Sequence, residues 1–92
     1  MNKLQIDKDT SELFLEIKKH YLLKVSKYQK SLHNMENRFI RLVAQKDNLV
    51  DIDEQKRNRQ KRIKVDYVIA KIKNEIKYSS ALINQVDIVL NQ

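Results

Sequence analysis

Not one residue of this chain is glycine or proline, and that absence excludes more architectures than any motif present implies. At average usage a chain of 92 residues would hold roughly six glycines and four or five prolines. β-Hairpins, phosphate-cradling loops and tight reversals rely on those residues for positive or preset φ. Lys, Leu, Ile, Glu, Gln and Arg occupy the space instead, and most of these are good helix formers. The expected class is all-α, a long antiparallel two-helix hairpin of coiled-coil character, in a single domain of marginal size.

Two apolar seams support that expectation. The first runs through Phe14, Ile17, Tyr21, Val25, Tyr28, Leu32, Met35, Phe39 and Leu42. Its spacings alternate between three and four, with one stutter at Tyr21. The second runs through Val65, Ile69, Ile72, Ile76, Ser79, Ile83, Val86 and Leu90, broken only by the small polar Ser79. Pairing positions whose numbers sum to about 107 sets Leu42 against Val65 and Phe39 against Ile69. It also sets the large Tyr28 against the small Ser79, the volume match that close packing prefers.

The first helix is expected over about 10–48, with Asp9 or Ser11 as N-cap and Asp9–Glu12 as a capping box. The turn is expected near 48–54, in NLVDIDE, with Asp51 and Glu54 spaced as a second capping box. The second helix then covers about 54–91, so that residues 1–92 form one hairpin whose tip, 44–64, is mostly polar and unpaired.

A bare hairpin buries one stripe per helix, usually too little for robust independent stability. Leu13, Leu15, Leu22 and Leu23 lie off the first seam, and Leu82, Ile88 and Val89 off the second. The antiparallel register gathers both groups at the open end, away from the tip. An end apolar around its circumference needs cover. A second copy forming a homodimeric four-helix bundle, a partner protein's helix, or the chain's own Leu4 and Ile6 would each supply it.

The net charge of +7 divides as +4 over residues 1–45, +3 over 46–64 and zero beyond. Residues 65–92 are neutral, whereas QKRNRQKRIK at 55–64 carries Lys56, Arg57, Arg59, Lys61, Arg62 and Lys64 without an acid. On a helix these wrap round the axis, with 57, 61 and 64 in one stripe and 56 and 59 in another. A solvated tip ordinarily mixes signs, so the run points to an acidic partner surface. Nucleic acid is the alternative, held by its phosphates. No aromatic lies between Phe39 and Tyr67 to stack on bases.

The same residues speak against catalysis. The chain has no cysteine, which removes disulfides, thiol chemistry and Cys-based zinc sites. Glu16 with His20, and His33 with Glu36, could each share a helix face. A di-metal site, however, wants Glu-x-x-His on two helices and further inward carboxylates, while Asp66, Glu75 and Asp87 fall off the seam. Ser11, Ser26, Ser31, Ser79 and Ser80 have no nucleophile-elbow context. No catalytic residue, metal, cofactor or small-molecule substrate is expected. No apolar run reaches about 18 residues, so no transmembrane segment is expected. The start, MNKLQIDKDTSELFLE, places acids where a secretory signal needs apolar residues, so a cytoplasmic location is expected.

The resulting expectation is a non-enzymatic helical adaptor or regulator. It would touch protein partners through its apolar open end and an acidic surface through its basic tip. The architecture is similar to that of the small stalk and adaptor proteins of flagellar and type III secretion ATPases. It is equally similar to many small bacterial and phage regulators, and on that likeness of shape a stalk or chaperone-like part of a secretion apparatus is a further reading.

Overall fold

The computed structural model describes residues 7–91; Leu4 and Ile6, expected as possible cover for the open end, lie outside them. Two helices make up the fold, α1 (Lys8–Lys46) and α2 (Ile52–Leu90), packed antiparallel as a rod of 70 × 21 × 15 Å. The chain is an all-α helical hairpin. No strand occurs among the described residues.

Both helices begin on aspartates. At α1 the cap is Asp7, earlier than the Asp9 or Ser11 expected from spacing. Its carboxylate accepts from the Thr10 backbone N–H at 2.7 Å, and its carbonyl accepts from Ser11 at 2.9 Å. Asp9 then falls within the first turn, where a negative charge complements the helix dipole. At α2 the cap is Asp51, as the spacing suggests, accepting from Asp53 N–H at 2.8 Å.

The reversal needs no glycine because no described residue takes a positive φ. α1 ends at Asp47 with φ −75° and ψ −14°, and Asp51 is extended with φ −72° and ψ 129°. A right-handed exit followed by an extended cap replaces the left-handed stop that usually calls for glycine. Gln55 Nε2 closes the loop by donating to the Leu49 carbonyl at 2.8 Å. Because Asp51 caps so early, the turn is shorter than expected, and α2 starts at Ile52 instead of near residue 54.

Every residue of both expected seams is buried or half-buried. Leu42, Val65 and Ile69 form the central cluster, and Leu32, Met35 and Phe39 pack against it. Leu42 and Val65 thus share one cluster, as the pairing required. At the open end Lys18 Nζ and Asp87 Oδ1 meet at 2.6 Å, joining the helices beside the seams.

The tip departs from expectation. Asn58 is only 5% exposed, and Arg62 and Leu49 are half-buried, so these three positions pack between the helices while the rest of the tip stays exposed. Asn58 and Arg62 continue the second seam backward from Val65 at the same spacing of three and four. Asn58 Nδ2 donates to the Leu42 carbonyl at 3.0 Å, and Arg62 Nε donates to Asn58 Oδ1 at 2.8 Å. The polar pair does at the tip what isoleucines do lower down, using directed bonds in place of apolar contact.

Candidate functional site

The Lys18–Asp87 bridge distinguishes the two long faces of the rod. Lys18 follows seam residue Ile17, and Asp87 follows seam residue Val86. In an antiparallel pair, residues that follow seam positions on the two helices flank the same side, and residues that precede them flank the other. The bridge side carries mixed signs: Glu36, Asp66 and Asp87 beside Lys18, Arg59, Lys73 and Lys77.

The opposite side is predominantly cationic. α1 contributes Lys24, Lys27, Arg38 and Arg41; α2 contributes Arg57, Lys61, Lys64 and Lys71. The acids on this side are Glu16, Glu75 and, at the tip, Glu54. Both helices meet in a shallow groove of about 200 Å³, where Arg38, Lys61 and Lys64 surround Met35, Val65 and Val68. Arg38 and Arg41 lie outside the basic run, and only the hairpin register brings them to it.

At the tip the run divides between two open clefts. The larger, about 480 Å³, is lined by Lys56, Arg59 and Arg62 together with Lys46, over Leu49 and Ile52. The smaller, about 290 Å³, takes Arg57 and Lys61 beside Glu54, Gln45 and Leu42. Asn58 borders both and holds the Arg62 guanidinium by its Nε, and Arg62 lines the larger cleft. Cations one helical turn apart repel by a few tenths of a kcal/mol per pair. Such a concentration costs stability unless an anionic surface offsets it.

The expected open-end residues do not form one patch. Leu13, Leu82 and Val89 precede seam positions and fall on the cationic side; Leu15 and Leu22 fall on the bridge side. Leu23 and Ile88 lie on the backs of their helices. Leu13, Leu15, Leu22, Leu23 and Ile88 are roughly half exposed or more, whereas Leu82 and Val89 are half-buried.

Apolar exposure also reaches the tip half, beyond the residues expected at the open end. Ile40, Val43 and Ile63 share the bridge side, and Val50 at the turn is 91% exposed. The signal was available, since Ile40 and Val43 each sit one residue after a seam position, as Leu15 and Leu22 do.

His33 Nε2 lies 3.2 Å from Asn37 Nδ2, and the His20 ring meets Tyr21 edge-on at 5.3 Å. Among the described residues no three His, Cys, Asp or Glu side chains converge as metal ligands would. None of the described helices is long and apolar enough to cross a membrane. The chain matches no protein-family model, no curated protein and no solved structure.

Proposed function

We propose that this hairpin is a non-enzymatic adaptor or regulatory protein that acts through protein–protein contacts. The observation carrying the reading is the open end, where Leu15 and Leu22 share the bridge side at 50% and 48% exposure. Full burial of such a side chain is worth about 1.5–3 kcal/mol, so a second copy or a partner helix gains substantially by covering them. The basic tip adds an electrostatic contact with an acidic partner surface. Light scattering over a concentration series tests the self-associating form. Association is expected, and Leu15→Glu with Leu22→Glu is expected to abolish it. A wild-type chain that stays monomeric and soluble at millimolar concentration overturns the self-associating form and leaves the partner helix as the cover.

A second reading, phosphate contact with nucleic acid, is favoured by one observation: Arg38 and Arg41 of α1 extend the cations of α2. Titration with labelled DNA and RNA at two salt concentrations tests it. Binding should weaken steeply with salt and fall when Arg57, Arg59 and Lys61 are changed to Gln. Binding that ignores both salt and those changes removes the tip from this reading.

A further inference from the structure

We infer that the cationic side of the hairpin is a groove for one acidic amphipathic helix of a partner protein, which spans the basic tip and the apolar open end together. The inference rests on the adaptor reading and gives it a site and a ligand class.

The groove's tip half has cationic walls, Arg38, Lys61 and Lys64, over an apolar floor of Met35, Val65 and Val68. A nucleic-acid backbone would use the walls and gain nothing from that floor, because phosphate contacts are charge contacts. A helix with a stripe of apolar residues flanked by carboxylates uses both, by the helix-in-groove mode.

The flank continues toward the open end with the same spacing. After Lys64 and Val68 come Lys71, Glu75, Tyr78, Leu82, Gln85 and Val89, each one residue before a seam position of α2. Tyr78 is 62% exposed and Val68 39%, while Leu82 and Val89 are half-buried. Leu13 borders the same side from α1. Along α2 the side is therefore cationic toward the tip and increasingly apolar toward the open end, where α1 adds Lys24, Lys27 and Glu16 at its border. The bridge side offers no such gradient: Asp66, Glu36 and Asp87 interrupt its cations. From Lys61 to Val89 the groove would seat about 28 helical residues, about 42 Å. Charge complementarity thus selects the occupant's chemistry, with acids over one half and an apolar stripe throughout.

The probe is a synthetic amphipathic helix of about 28 residues with a leucine stripe and glutamates flanking it in one half. Fluorescence anisotropy is read against the full chain. A peptide with lysine for each glutamate and a labelled DNA duplex serve as comparisons. The acidic peptide should bind, and the lysine peptide should not. Lys61→Glu with Lys64→Glu should weaken binding by about tenfold or more, as loss and reversal of facing charges does. Tyr78→Glu with Leu13→Glu, both exposed positions, should weaken it comparably, and circular dichroism should show each variant still helical. Lys73→Glu with Lys77→Glu on the bridge side should leave it within about twofold.

No binding of the acidic peptide at 100 µM (about −5.5 kcal/mol) overturns the groove. So does duplex binding that depends on Lys61 and Lys64 but not on Tyr78 and Leu13, which would assign the side to phosphate. If the peptide fails while light scattering still shows association through Leu15 and Leu22, the groove is wrong and the adaptor reading stands.

Discussion

Asn58, only 5% exposed, reaches across the hairpin to donate a 3.0 Å hydrogen bond to the backbone carbonyl of Leu42. A carbonyl has two lone pairs, so it can accept this bond in addition to one within its own helix. Asn58→Ala removes the bond and frees Arg62 from its anchor. The expected loss is about 1–3 kcal/mol, or at this size a melting point lower by about 4–8 °C per kcal/mol. Thermal melts followed by circular dichroism check it. An unchanged melting point would mean that the clasp contributes nothing to the fold.

Asn58 also marks where the sequence stopped being transparent. The seams were legible because Phe14 to Leu42 and Val65 to Leu90 are apolar at coiled-coil spacing, and every one of those positions is buried or half-buried. Asn58 and Arg62 keep the same spacing ahead of Val65, but apolar periodicity does not register polar seam residues. The basic stretch was likewise visible as charge, whereas its partners Arg38 and Arg41 are brought near by register alone. The N-cap was misplaced for a local reason. Asp7 and Asp9 both precede the helix plausibly, and only the carboxylate's geometry toward Thr10 chooses between them.

Ser79 sits on the second seam at 1% exposure, and its hydroxyl has no hydrogen-bond partner. An unpaired buried polar group costs about 1–3 kcal/mol. Ser79→Ala is therefore expected to stabilise the hairpin by roughly 1 kcal/mol. Ser31→Ala, on an exposed position of α1, controls for the helix propensity that alanine brings. Urea midpoints compare the two, and equal shifts would show that the hydroxyl is satisfied.

Lys18 and Asp87 bridge the helices at 2.6 Å with side chains 33% and 37% exposed. A pair this open is worth about 0.2–1 kcal/mol, so its value is as a marker of register. The chain has no native cysteine to interfere with labelling. Lys18→Cys with Asp87→Cys should crosslink within one chain through a short bismaleimide. A control, Lys18→Cys with Asn74→Cys, should not, because residue 74 lies about 20 Å farther along α2. Efficient crosslinking of the control pair and not of the bridging pair would refute the register.

Asp7 supplies the pH test. The Thr10 backbone N–H, donating to its carboxylate, holds the pKa below the ordinary 3.8 even though the side chain is fully exposed. A carboxyl depressed in the folded state stabilises the fold above its unfolded pKa, and that contribution disappears as pH falls through the folded value. Helicity of α1 should accordingly be complete at neutral pH and lose the Asp7 contribution on acidification from 3.8 downward. Asp7→Asn keeps a capping oxygen without a titrating group, so near neutrality it should melt close to the wild type. Below the ordinary carboxyl range the wild type loses its charged cap while the variant does not, so the variant should become the more stable of the two. Parallel acid titrations by circular dichroism decide the matter. Identical acid limbs for the two proteins would mean that the Asp7 cap does not couple protonation to folding.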